Sequence, residues 1–227
     1  MSGSSNVLVG YEAGKYTTGS ANTFIGYNAG YGGLGNSFPY SSGQSNVAVG
    51  FESLKNFTTG GTNTAVGRGS LYALTTGTKS TAVGYLAGTA MTTAIGNTFI
   101  GHLAGYQSLA GYNTIIGDRA FDASTDSTST ANVIIGNSAG SAINAGYSSD
   151  NIFIGHNAGY GGSGRIHSSI AIGRNALMST GANAATGIVA IGHYALTDLT
   201  TGTSTTVIGY EAGLSLTTGN NNTLIGY

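Results

Sequence analysis

The chain has 227 residues: 40 are glycine, one is proline, none is cysteine or tryptophan, and seven basic against eight acidic side chains leave a formal charge of −1. An ordinary soluble domain is about a quarter charged and a disordered chain joins low apolar content to high net charge, whereas here 7% is charged and 40% apolar, so neither description fits. Without a Gly-X-Y period, a Lys/Arg run, cysteine ligands or an apolar stretch of spanning length, the composition also excludes collagen, nucleic-acid binding, disulfide and thiolate-metal scaffolds, and insertion of a helix into a membrane.

Residues 1–5 read as an N-terminal leader, and a repeat begins at Asn6. The first strand leads through Val9 to Gly10, and the second, Asn22-Thr23-Phe24-Ile25-Gly26, runs into Tyr27-Asn28-Ala29-Gly30. The longest interval, 24 residues, follows and contains a glycine- and aromatic-rich loop from Tyr31 to Tyr40. Strands then precede Gly50, Gly67, Gly84, Gly101 and Gly117 at spacings of 16 or 17 residues. A Ser/Thr-rich loop carrying Asp118, Asp122 and Asp126 separates Gly117 from Gly136, and after Gly155 the segment Tyr160 to His167 partly echoes the first aromatic loop. The last strands lead to Gly173, Gly192, Gly209 and Gly226.

Aligned on these thirteen glycines, position −1 is Ile nine times and Val four times, position −4 is Asn nine times, and position +3 is Ala ten times and Ser twice in the twelve complete units. Thr-Thr-Gly precedes the next anchor by seven residues at Gly19, Gly60, Gly77, Gly202 and Gly219. A few apolar or β-branched residues between Asn and Gly make a strand of about five residues, too short for a helix. One such strand in about 18 residues winds once around a solenoid and pairs in parallel with its copy about 4.8 Å away, so thirteen turns predict a rod roughly 60 Å long. Glycine is expected to supply positive φ at the corners, Ala29, Ala104 and Ala158 to fit where the corner leaves little room, and Asn to bond its own turn or its copy one coil away. Residues 6–227 read as one such domain, a segment of a longer fibre.

Successive strand residues face opposite ways. The constancy of position −1 places it, with −3, inside the coil, as in Ile100, Ile116, Ile135 and Ile154. Position −2 then faces outward, and it is apolar throughout: Leu8, Phe24, Ala48, Ala65, Ala82, Phe99, Ile115, Ile134, Phe153, Ala171, Ala190, Val207 and Leu224. Strands apolar on both faces are buried on both faces. These residues are therefore expected to join several solenoids side by side, with blocks of Phe and Ala changing the width of the interface.

The units Asn46-Val47-Ala48-Val49-Gly50, Asn63-Thr64-Ala65-Val66-Gly67 and Ser169-Ile170-Ala171-Ile172-Gly173, with Ala176 three residues on, resemble the head repeats of YadA-like trimeric autotransporter adhesins. The Thr-Thr-Gly segments and Gly26 to Gly30 are also similar to repeats of phage tail fibres. The resemblance spans residues 6–227 and implies an all-β, left-handed parallel β-roll of about 13 turns assembled as a side-by-side homotrimer. It further implies an extracellular structural and adhesive role, on a virion tail fibre or a bacterial surface, with a cell-surface glycan or protein as receptor. An end-to-end filament of this chain and an ice- or surface-binding protein are the alternatives. Against the last, Thr23, Thr64 and Thr81 at position −3 are expected to face the core.

Signals for chemistry are sparse, and no enzyme, cofactor or metal site is expected. Asp118, Asp122 and Asp126 lack the dense ligand pattern of a calcium loop. The two G-x-G-x-x-G matches, from Gly30 and from Gly159, lack the helix and acidic residue that give the motif meaning. His102, His156 and His193 share position +1 with Tyr11, Tyr27, Phe51, Arg68, Tyr85, Tyr210 and others, and read as an outward ladder of planar side chains rather than a metal column. The loops are the better place for recognition. Tyr31, Phe38, Tyr40, Tyr160, Arg165 and His167 are the candidate receptor contacts, because rings with polar neighbours suit sugar faces and protein surfaces alike.

Overall fold

A computed structural model describes residues 3–33, 40–143, 146–162, 164–181 and 184–227. The described residues form an all-β parallel solenoid of about twelve turns without helices. Two compact units, Met1–Tyr112 and Asn113–Tyr227, are taken in turn. The first carries one strand per turn: β1 (Val7–Val9), β2 (Thr23–Ile25), β3 (Val47–Val49), β4 (Thr64–Val66), β5 (Thr81–Val83) and β6 (Thr98–Ile100). Each pairs in parallel with the next, position on position, so that Leu8 lies over Phe24 and Ala65 over Ala82.

In the second unit the main strands are β7 (Thr114–Ile116), β8 (Val133–Ile135), β9 (Ile152–Ile154), β11 (Ile170–Ile172), β13 (Val189–Ile191), β15 (Thr206–Ile208) and β17 (Thr223–Ile225). They keep the same register. A second sheet, which the repeat pattern does not announce, is built from β10 (Ile166–His167), β12 (Ala185–Thr186), β14 (Thr201–Thr203) and β16 (Thr218–Asn220). Two of its strands take in the last two residues of the Thr-Thr-Gly segments expected to turn, Thr201-Gly202 and Thr218-Gly219. Gly202 is not in the left-handed region; an added Cβ would lie 2.5 Å from the Gly219 carbonyl oxygen. Glycine serves there to let two turns approach, not to bend the chain.

The strands are three residues long rather than five because the asparagine before them leaves the backbone ladder. The Asn46 N–H donates to Asn22 Oδ1 at 2.9 Å and the Asn63 N–H to Asn46 Oδ1 at 3.0 Å, while the Asn46 and Asn63 amides donate to the Gly60 and Gly77 carbonyls at 3.0 Å. Asn132 and Asn151 repeat this arrangement in the second unit. Each buried amide thus accepts from the next coil and donates to it, the turn-to-turn bonding expected of this residue.

The anchor glycines hold φ between 124° and 142°, a region that residues with a side chain rarely adopt. An added Cβ at Gly50 would also stand 2.7 Å from the Gly67 carbonyl oxygen. The remaining corners are tighter than expected of non-glycine residues: Glu52 and Leu54, or Asn175 and Leu177, take left-handed φ between 49° and 57° two and four residues after their anchors. The corner alanines Ala29, Ala104 and Ala158 are fully buried.

The structure reverses the assignment of the two strand faces. Phe24, Ala48, Ala65, Ala82, Phe99, Ile115, Ile134, Phe153, Ala171, Ala190 and Val207 are fully buried inside their own coil, with Leu8 and Leu224 half-buried in the terminal turns. Position −2 is therefore the core, and it cannot also meet another chain. Positions −1 and −3 face outward. The Phe/Ala alternation has a local cause, because position +4 shares the same interior. Phe24, Phe99 and Phe153 are matched by Gly30, Gly105 and Gly159, where an added Cβ would reach the ring at 2.5 to 2.7 Å; Ala48, Ala65, Ala171 and Ala190 are matched by the buried Leu54, Leu71, Leu177 and Leu196. In these turns the pair at −2 and +4 contributes one large side chain, from either position, and Phe57, Leu74 and Leu199 add to the core in the turns of Leu54, Leu71 and Leu196.

Phe153→Ala is expected to cost about 3–5 kcal/mol, and Gly159→Leu alone to overpack the coil by about 1–3 kcal/mol. The double variant reproduces the Ala171/Leu177 pairing of the next turn and should regain more than half of the Phe153→Ala loss in denaturant unfolding.

Candidate functional site

With position −2 spent on the core, the surface available for function consists of the outward sheet face, the column after each anchor glycine and the loops. On the sheet face, position −1 presents only Val and Ile, and position −3 presents Val, Ile and Thr. Several of these are well exposed, among them Val9 at 55%, Ile25 at 38% and Ile154 at 37%. Thr23, Thr64 and Thr81 stand on this face rather than toward the core.

The column at +1 is a stack of planar groups, as read from the sequence. In the first unit Tyr11 and Tyr27 stack at 5.2 Å, Tyr27 and Phe51 at 5.1 Å, and Tyr85 and His102 at 5.4 Å. Arg68 completes the run, its guanidinium carbon 5.5 Å from the Phe51 centroid and 5.6 Å from that of Tyr85. In the second unit His193, Tyr210 and Tyr227 stack at 5.1 and 5.6 Å. The ring faces are taken up by neighbours, which leaves edges and hydroxyls to solvent.

The six candidate contacts fall in two places. In the first unit Tyr40 is exposed at 49%, but Tyr31 is buried, and burial pushes its phenol above the ordinary value. Tyr31 packs edge-on against Tyr16 at 5.0 Å, and Tyr16 lies 6.4 Å from Tyr40, so Tyr31 holds the loop base rather than offering a contact. Lys15 sits over both Tyr16 and Tyr31 and is bound to Glu12 at 2.7 Å. Phe38 lies outside the described residues. In the second unit Tyr160 and Arg165 are exposed and His167 is half-buried, with Nδ1 3.9 Å from Asp150 Oδ2. No hydrogen bond, ion pair or ring contact joins these three to one another among the described residues.

The three aspartates spaced by four do not converge. Asp118 accepts from the Asn137 amide, Asp122 from the Ser141 hydroxyl, and Asp126 from the Thr128 and Ser129 hydroxyls and the Thr128 and Tyr147 backbone N–H groups. Among the described residues no group of three or more His, Asp or Glu side chains comes together to hold a metal. Asp126 instead ties two loops of the second unit. Partial burial pushes its carboxyl up, but the hydrogen bonds from Thr128, Ser129 and Tyr147 outweigh this and hold it below the ordinary value.

Two concavities lie on the first unit. A groove of 430 Å³ is lined by polar groups, including Ser42, Gln44, Ser45, Thr59, Thr62 and Lys79. A smaller cleft of 180 Å³ lies between Phe51, Glu52, Arg68, Gly69, Tyr72, Leu86 and Thr89. At Gly69 the +2 column of Glu52, Gly69 and Leu86 lacks a side chain, and Leu86 leans into that place, its Cδ2 2.6 Å from where a Cβ would stand. The sequence carries a signal for it: Arg68 is the one cation between a phenylalanine and a tyrosine, Phe51 and Tyr85, in the +1 column.

The repeat register, parallel pairing and stacked edges define the class as a parallel β-solenoid. Comparison with protein-family models, curated proteins and solved structures returns no match.

Because the folded Asp126 has a depressed pKa, its contribution to stability is present above the unfolded carboxylate value of about 3.9 and is lost as pH falls through the lower folded value. Thermal unfolding followed from pH 7 to pH 2 should therefore show a steeper acid loss for the wild type than for Asp126→Asn, and the gap between the two should close at the acid end.

Proposed function

We propose that this solenoid is a non-enzymatic, extracellular fibre segment that associates side by side as a homotrimer and holds its loops and +1 edge outward for attachment. The observation that carries the reading is the outward sheet face: in each unit, two columns of Val, Ile and Thr that water reaches in the single chain. Soluble monomers rarely leave so long an apolar stripe uncovered. The face is regular from turn to turn, so an identical copy laid alongside offers it a matching set of ridges. The surface charges stand on the +1 and +2 columns and in loops, away from positions −1 and −3.

The homotrimer, the left-handed coil and the tail-fibre or adhesin role follow the resemblance to YadA-like head repeats and phage tail-fibre repeats. In such an assembly each loop occurs three times about one axis, and weak receptor contacts add through effective concentration. The interface is assigned to positions −1 and −3, in place of position −2.

A second reading draws support from the same face. Thr64, Thr81 and Thr98, in three consecutive turns, each stand two residues before Val66, Val83 and Ile100, giving a short Thr-x-Val/Ile lattice about 4.8 Å apart between turns. On a monomer this regular array suits ordered water or a crystalline polymer surface.

Sedimentation equilibrium separates the two readings. The expected mass is three times 22.6 kDa. Ile135→Asp with Ile154→Asp is expected to give folded monomer, Lys79→Ala to leave the trimer intact, and Phe153→Asp to unfold the coil rather than only dissociate it. A monomeric wild type that shows thermal hysteresis establishes the surface-binding reading instead.

A further inference from the structure

We propose that the cleft beside Arg68 binds the carboxylate of an acidic sugar residue. This deepens the receptor-contact part of the proposed function, but it rests on different residues from the assembly. Arg68 is exposed, and its guanidinium is held between the Phe51 and Tyr85 rings. The N–H donors lie in the guanidinium plane, so rings over its two faces leave the edges free and fix the direction in which they point. That geometry favours a two-pronged bond to a planar anion.

No protein carboxylate meets this donor edge among the described residues. Glu52, which lines the same cleft, is bound to Lys55 at 2.5 Å, and Lys55 in turn lies over the Tyr72 ring. The neighbourhood holds two cations and one anion, and the charge left over is that of Arg68.

The cleft selects what carries the carboxylate. Phe51, Tyr72 and Leu86 make apolar walls, while Glu52 and Thr89 supply polar atoms. Its 180 Å³ is below the roughly 300 Å³ at which sites for drug-sized ligands begin, and it suits a single six-membered ring. A pyranose with a carboxylate meets all of these demands: C–H groups against the walls, hydroxyls at the rim and the acid on Arg68. A phosphate leaves the walls uncovered, and an aspartate or glutamate side chain has no ring to fill them. Hexuronates and sialic acids share the required chemistry.

Calorimetric titration of the whole chain with trigalacturonate, its methyl ester, sialyllactose and lactose tests this. At least one acidic probe should bind, with its uncharged counterpart at least tenfold weaker; which acid binds distinguishes the two sources. Arg68→Gln and Arg68→Lys should each weaken that binding at least tenfold, the lysine because an ammonium lacks the fork, with the melting temperature unchanged. Arg119→Gln, an exposed arginine in the second unit, should bind within twofold of wild type. Failure of both acidic probes, binding that survives Arg68→Gln, an equal loss in Arg119→Gln, or tighter binding of inorganic phosphate or a glutamate-terminated peptide overturns the proposal. Sedimentation is read separately, so a monomer that binds the acid through Arg68 defeats the trimer and leaves this site standing.

Discussion

The fold depends on one distance, the separation of about 4.8 Å between successive turns. At that spacing every residue lies over its own copy, and a side chain is tolerated only where its copy can accept it. The anchor glycines meet the restriction most sharply, because their backbone conformation and the carbonyl of the next turn both exclude a Cβ. The asparagines turn the same proximity into bonding, each amide joined to the backbone of the neighbouring coil. Planar residues at +1 turn it into stacking. A chain poor in charge is the expected outcome, since a column of like charges at this separation repels itself.

The interior obeys a second restriction, that of volume. In most turns the pair at −2 and +4 contributes one large side chain, from either position, while Ala82 with Gly88 and Ile115 with Phe121 depart from the rule. Strict repetition of sequence is unnecessary where repetition of filled space is kept. Leu54, Leu71, Leu177 and Leu196 accept a left-handed backbone because each fills a coil whose strand contributes only alanine.

Register, parallel pairing and the turn-to-turn role of asparagine were legible in the sequence because each depends on spacing alone. The facing of the strands was not, since a strand apolar at every position has a period of two but no polar side to orient it. Constancy at position −1 reads, in the sequence, as a sign of burial. Constancy instead belongs to the outward face, and the varied residue is the buried one, because its partner at +4 varies with it. Phe24 beside Gly30 and Ala48 beside Leu54 were visible as sequence pairs, but their meaning requires that both point into one enclosed space. The loops were the least legible. Tyr31 reads as an aromatic available for recognition and is buried at the loop base, whereas the cleft at Arg68 arises from columns that only stacking brings together.

The pairing of positions −2 and +4 bears on how such a chain changes over generations. In most turns the fit is settled within the turn, so a turn can be duplicated, lost or exchanged by recombination between similar stretches of gene without retuning its neighbours. Length then becomes an inherited variable, each added turn bringing its own packing and its own interface, and a lineage can lengthen or shorten its reach while the selection that maintains each coil stays the same.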